Sequence, residues 1–447
     1  MRRKLISIRV AISRCPCLLS QNTNLISAYM IQSHRLVAFF ASLLVVGGLA
    51  ACAAKAEDSI NIGILAELRG FYGSFGMDAK RGAEMALAEF GGRAGGKSVN
   101  LVFENPDNLA SKIVERAQKL IREAGAQLIV GPLTGSGGKA LKKLAKSIPD
   151  ITFINGASAA RDLTLLEPVS NFFRFTTDSA QWMAGLGRYA YFNKGYRRIV
   201  TIGENYSFPY TQVMGFLVEF CSAGGQAAEM FWLPLSDKPF DAVSTKLENI
   251  EADAIFVALN GGNTAVFLEH YWKSGGKLPI IGGSTTFDPI LLNSKSIFHT
   301  RLPGSIAAVP VSNSDERIAW KEFAGSYREQ YPDAAETPSI FAYNYYVNTK
   351  AALLALEEAD GDLANGQRKV RKELANLNFE TPAGPVSLDE NRQAIANNLI
   401  IEIVVGNDKQ LKQKVVKTVT TVDQTLGLGR DRYLALGVPG PRTPSCP

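Results

Sequence analysis

The sequence predicts an α/β fold built from two lobes of similar architecture. Three observations carry this. Ile60–Leu65 is a short apolar, β-branched run, and a loop with Gly70, Gly73 and Gly76 separates it from Asp78–Phe90, rich in alanine and methionine. That is a strand, a glycine-rich turn and a helix, the first half of a βαβ unit. Strand-like and helix-like runs then alternate, the signature of a parallel sheet. Finally, the alternation begins afresh after about Asp178, as a second lobe requires.

In the first lobe the strands are Ile60–Leu65, Val99–Glu104, Gln127–Gly131, Ile151–Ile154 and Phe172–Phe175. Helices are expected over Asp78–Phe90, Ser111–Ala124 (Ile113, Ala117, Leu120 and Ile121 at helical spacing) and Lys139–Ser147. The second lobe offers strands at Arg198–Ile202, Ala254–Leu259 and Pro279–Ile281, with helices Tyr210–Ala223 and Thr264–Lys273. Ile306–Val309, helices Asp315–Tyr331 and Ser339–Ala359, and a hairpin-like pair Pro385–Leu388 and Asn398–Val405 follow. Residues 426–447 are rich in Gly and Pro without a sustained period and read as a loose tail.

The net charge of +6 belongs to the N-terminus. Residues 1–56 hold seven basic and no acidic residues; the rest carries 41 basic against 42 acidic, without the basic excess of a nucleic-acid binder. Arg35 precedes the apolar run Leu36–Ala50, the length of a signal h-region and short for a membrane span. Ala54-Lys55-Ala56 then matches an A-x-A cleavage site. Leu49-Ala50-Ala51-Cys52 also resembles a lipobox, which would place a lipid on Cys52. Export in soluble form is the preferred reading, with Met30 the working start. In the body only Cys221 and Cys446 remain. They make no disulfide framework; a Cys221–Cys446 bridge and a buried Cys221 thiol are both open, the thiol being expected.

Cofactor and enzyme motifs are missing. Gly131–Ala140 carries Gly-Gly-Lys, but Leu133 stands where a phosphate loop needs its first glycine, and Ala140 where it needs Ser or Thr. The first strand leads into no G-x-G-x-x-G, and no G-x-S-x-G elbow occurs. The three histidines, His34, His270 and His299, have no partner at metal spacing. No cofactor and no metal are expected. What remains is six strand-end loops rich in Gly, Ser, Thr, Asn and aromatics: 68–75, 133–138, 155–160, 205–210, 260–264 and 284–287. Aromatic walls with a few polar groups suit a small-molecule cleft.

The stretches INIGILAELRGFYGSFGMDAKRGAEMAL, QLIVGPLTGS, FFRFTTDSAQ and GPVSLDENRQAIANNLIIEIV, in that order behind an export leader, resemble the branched-chain amino-acid (leucine/isoleucine/valine) binding family of ABC-importer substrate-binding proteins. The resemblance spans about residues 59–425. It implies two Rossmann-like lobes joined by a three-crossing hinge, the type I periplasmic binding fold. Lobe 1 would be 57–178 plus 308–376 and lobe 2 would be 179–307 plus 377–425. It further implies a monomer that delivers a small molecule to an ABC permease; a ligand sensor of the same fold is the alternative.

Carried across by the resemblance, the ligand contacts fall on Phe75, on Gly135 with Ser136 beside it, on Ala157, Ser158 and Ala159, and on Tyr206 and Ser284. Tyr72 and Asn260 join them as loop residues, and Phe71 and Phe208 as further aromatic walls. The family holds the ligand ammonium with an acidic residue and a threonine; this chain has Ser284 and Ala159 there. A buried ammonium without such partners is costly. The expected ligand is therefore an apolar or aromatic carboxylate, or a neutral amide, without an α-ammonium. Glu67 and Arg69 are expected either to pair or to orient the ligand carboxylate.

Overall fold

The computed structural model describes residues 59–444, apart from 71, 108, 237–238, 260–261, 288, 294–297 and 336. The leader, Phe71, Asn260, Cys446 and the proposed lipid site Cys52 lie outside the described residues. Glu57–Pro447 forms one compact unit.

The first sheet contains β1 (Ser59–Leu65), β2 (Arg93–Ala94), β3 (Lys97–Glu104), β4 (Leu128–Val130), β5 (Thr152–Ile154) and β6 (Phe172–Phe173), in the order β2-β3-β1-β4-β5-β6. All pairings are parallel except the β2–β3 hairpin. Side chains alternate across β1, as strand geometry dictates. Ile60, Ile62 and Ile64 join one core cluster, whereas Leu65 joins another on the opposite face. The first cluster includes buried residues of α1 (Gly73–Glu89); the second is covered by α2 (Ala110–Arg122) and α3 (Gly135–Ser147).

Thr176–Gly185 carries the chain into the second lobe. There α4 (Leu186–Phe192) leads to β7 (Arg198–Glu204), α5 (Ser207–Ser222), β8 (Gln226–Leu233), α6 (Phe240–Leu247), β9 (Ala254–Ala258), α7 (Gly262–Lys273) and β10 (Ile280–Gly282). Two short helices, α8 (Pro289–Leu292) and α9 (Phe298–Arg301), precede β11 (Ile306–Val309). The chain then returns to lobe 1 through α10 (Ile318–Gln330), α11 (Ile340–Glu358) and α12 (Ala364–Asn376). Gly82 lets α1 lie directly on α11: a Cβ there would come within 2.0 Å of the Ala342 carbonyl oxygen. Strands β12 (Asn378–Thr381), β13 (Gly384–Leu388), β14 (Ala394–Val405) and β15 (Leu411–Val422) complete a second sheet in the order β12-β13-β14-β11-β10-β9-β7-β8, with β15 on the free side of β14.

Three details depart from expectation. The β12–β13 hairpin, expected in lobe 2, packs on lobe 1: Ala383 and Val386 belong to that core, and Phe379 lies 5.9 Å from Phe175. Residues 426–444, expected to be a loose tail, are docked. Helix α13 (Arg430–Ala435) buries Tyr433 completely against Leu165 of lobe 1 and Met214 and Val218 of lobe 2. Arg161 covers the Tyr433 ring at 5.5 Å, and Arg430 donates to the Leu165 carbonyl at 2.5 Å. One apolar ring between two lobes gives a Gly- and Pro-rich segment the burial its composition lacks. Cys221, expected as a buried thiol, is disulfide-bonded.

Where the chain passes between lobes, a buried polar network replaces apolar packing. Arg174 is completely buried. Its guanidinium donates to the Ala160 carbonyl at 2.7 Å, to Thr164 Oγ1 at 2.9 Å and to Gln393 Oε1, and it lies 3.6 Å from the Asp178 carboxylate. Gln393 also donates to Gln181 at 2.8 Å, and Gln424 to Asp178 at 2.8 Å. Crossing segments far apart in sequence are thereby held by one cation. Burial lowers the Arg174 pKa to about 10 even though Asp178 opposes the shift.

Candidate functional site: a cleft between aromatic walls

Each lobe presents the carboxyl ends of its parallel strands, where open α/β sheets bind ligands. In lobe 1 the β1–α1 connection places Tyr72 just ahead of the helix and Phe75 in its first turn. Their rings are 6.2 Å apart, and Phe75 stacks on Phe341 at 4.5 Å and 20°. Phe75 is nevertheless 38% exposed. The stack leaves part of an aromatic face open to solvent at the strand-end side of the lobe.

The β4–α3 turn supplies polarity. Thr134 caps the helix by accepting from the Gly137 amide at 3.3 Å. The first intrahelical bond runs from the Gly138 amide to the Thr134 carbonyl at 2.9 Å. The amides of Gly135 and Ser136 precede it, so their N–H groups are those a helix start offers to an anion. The β5 loop beside them is braced. Ala157 and Ser158 both donate to the Pro132 carbonyl, at 2.9 and 3.2 Å. The carbonyls of Ser158 and Ala159 accept from Arg174 and Ser179 respectively. Ser158 is 1% exposed; its hydroxyl has no hydrogen-bond partner and abuts Gly138. Ala157 and Ala159 bring only methyl groups and backbone.

In lobe 2, Tyr206 precedes α5 and Phe208 lies in its first turn. Their rings stack at 6.4 Å, and Phe208 meets Trp182 edge-on at 5.9 Å. Ile340, at the start of α11 in lobe 1, packs against the cluster containing Trp182 and Phe208. The two aromatic walls therefore lie on either side of one lobe boundary. Ser284 is held by Gln212, which receives its amide at 3.3 Å and donates to its hydroxyl. Gln212 is 1% exposed, and no carboxylate stands at this position.

Several site residues escape sequence reasoning. Phe341 and Trp182 read as core, and Gln212 lies inside an apolar helix with nothing to mark it. Two carboxyls near the strand ends are buried. Glu204 ends β7, is 3% exposed and accepts from Asn263 at 2.7 Å. Glu67 follows β1, is 1% exposed, and neither of its oxygens has a hydrogen-bond partner, Arg69 included. Burial raises its pKa to about 7, with the backbone amides of Glu67 and Leu133 partly offsetting the rise. Glu67 stands out in the sequence as a loop glutamate beside Arg69; Glu204, the last residue of β7, does not, and the burial of both is set by the fold. A groove on the outer side of lobe 1, lined by Glu89, Glu322, Tyr346 and Lys350, holds none of the expected contacts.

Comparison with known proteins bears on the fold and the family. A curated relative, a "Leu/Ile/Val-binding protein homolog 6" from Brucella melitensis, is 24% identical over 84% of this chain and 95% of its own. An ABC transporter substrate-binding protein from Sphaerobacter thermophilus superposes with TM-score 0.75 at 21% identity, over 82% of this chain and 99% of that one. A solute-binding protein of an ABC transporter from Rhodopseudomonas palustris BisB5, in complex with 3,4-dihydroxybenzoic acid, gives 0.72 at 21% identity with the same coverage. These likenesses establish a shared fold. The family model described as "Periplasmic binding protein" matches residues 59–409, and the chain belongs to that family.

Proposed function

We propose that this chain is the exported solute-binding component of an ABC importer and that its ligand is an aromatic carboxylate. The observation that carries the reading is an aromatic group on each side of the lobe boundary, together with the amide-bearing start of α3. The walls, Tyr72–Phe75–Phe341 and Tyr206–Phe208–Trp182, accept a flat ring; the amides of Gly135 and Ser136 accept its carboxylate. The position matching the family's ammonium-binding acid is Ser284, already engaged by Gln212, and Ala157 and Ala159 offer no hydroxyl. The 3,4-dihydroxybenzoic acid held by the Rhodopseudomonas neighbour has the same chemistry. Asn260, expected as a contact from the sequence, remains part of the proposal although it lies outside the described residues. Closure of the lobes follows the ligand's preference for the closed form, and the closed monomer passes its cargo to the permease. The leader delivers the protein to the periplasm in soluble form; a lipid on Cys52 is the alternative anchor.

A thermal-shift screen of the mature protein tests this. Benzoate and 4-hydroxybenzoate are expected to raise the melting temperature by several degrees and leucine by none. A leucine shift exceeding that of every aromatic acid overturns the reading.

A further inference from the structure

Among the described residues Glu67 is a carboxyl buried just beyond a lobe 1 strand end, and no side-chain donor or cation is bonded to it there. It lies two residues beyond the end of β1, where its backbone packs directly on Gly76 of α1 and its carboxyl is felt by Tyr345 of α11. Its own amide and that of Leu133, two residues before Gly135, partly stabilise its charge. Every charged or titratable group on the elements packed around it is committed elsewhere or is neutral. Glu104, opposite Leu65 on β3, is held by Arg116 and Lys119 from α2. Asp78 of α1 is held by Arg81 and Tyr327. On α3, Lys139 pairs with Asp162, and Lys142 donates to the carbonyls of Asp162 and Leu166. Tyr345 of α11 donates to the Leu65 carbonyl. Arg69 makes no hydrogen bond to it.

We propose that Glu67 sets the charge preference of the cleft: it is carried as the neutral acid when an anionic ligand occupies the start of α3, so anion binding takes one proton from solution onto its carboxylate. This rests on the ligand reading above. Two uncompensated negative charges a few residues apart inside a protein repel strongly enough to weaken binding by on the order of tenfold or more. Among the described residues no cation pairs with Glu67 to relieve them, so protonation does. The ligand-free carboxyl, with its pKa raised to about 7, already stands near the point of protonation at neutral pH. With benzoate, which does not itself titrate between pH 6 and 8, affinity is expected to fall about tenfold across that range.

Calorimetric titration of the mature protein with benzoate at pH 6, 7 and 8, in two buffers of different ionisation enthalpy, measures both affinity and proton uptake. The wild type is expected to lose about tenfold in affinity and to take up close to one proton at pH 8. Glu67→Gln is expected to lose both the slope and the uptake. Binding of benzoate with no pH dependence and no proton uptake overturns this inference alone, as does a slope that survives in Glu67→Gln. Failure of benzoate to bind at any pH overturns the ligand reading and this inference with it. The wild-type uptake decides the matter even if the variant does not fold.

Discussion

Arg174→Ala is expected to destabilise the protein by about 3–5 kcal/mol, the cost of leaving a buried charge and several buried acceptors without their partner. Arg174 is wholly buried and its guanidinium serves Ala160, Thr164 and Gln393 while facing Asp178. Removing it strands the Asp178 carboxylate, which Gln424 and two local amides would hold alone. Urea unfolding at pH 7 measures the loss. The coupling is testable separately: Asp178→Asn in the Arg174→Ala background is expected to recover part of the deficit, because it removes the orphaned charge. A loss below about 1 kcal/mol, or strict additivity of the two changes, would show that the crossing is held by something other than this ion. The same substitution is expected to loosen the β5 loop, since the Ser158 and Ala160 carbonyls are tied to Arg174.

The second large effect is on stability against pH. A carboxyl whose pKa rises from 4.5 to about 7 on folding binds its proton more tightly in the folded state. Its contribution is therefore fully present below pH 4.5, is lost as pH rises towards 7, and has gone above that. The difference corresponds to about 3 kcal/mol. Glu67→Gln lacks this titration. Relative to the variant, the wild type is expected to lose about 3 kcal/mol between pH 4.5 and pH 8, read from paired denaturant curves. Parallel pH profiles for the two proteins would place the Glu67 carboxyl in solvent contact after all.

Much of the architecture was legible because buried parallel strands announce themselves. Ile60–Leu65, Ala254–Leu259 and Ile306–Val309 are apolar runs closed by glycine or polar loops, and each is a strand within a residue or two. The elements that went unread carry mixed faces. Strand β15 is Leu411–Val422, with Lys412, Lys414 and Lys417 along it. It lies at a sheet edge, where lysines guard against unwanted pairing and also hide the apolar pattern. Strand β8, Gln226–Leu233, is also an edge and shows no clean alternation. The docking of residues 426–444 rests on one tyrosine reaching a pocket built by both lobes, a long-range fact that no local period encodes.

The site divides in the same way. The proposed contacts Tyr72, Phe75, Gly135, Ser136, Tyr206 and Ser284 sit on strand-end loops or in the first turns of the helices that follow, and are named from loop composition and family resemblance. Phe341, Trp182 and Gln212 sit within or beside helices whose sequence reads as core, and only the packing of α11 and α5 at the lobe boundary sets them beside the others. Glu67 was visible as a loop glutamate, yet its importance lies in what does not surround it. A missing counter-charge is a property of the fold and leaves no mark on the sequence.

The charge of the guest is the central claim, and 3-phenylpropanoate and phenylalanine isolate it, since they share a skeleton and differ by one α-ammonium. Calorimetric titration of the mature protein with both at pH 7 is expected to show the propanoate binding at least tenfold more tightly, because Ser284 and Ala159 stand where the family holds the amine. Tighter binding of phenylalanine would contradict the account and would assign Glu67 or Glu204 to an ammonium instead.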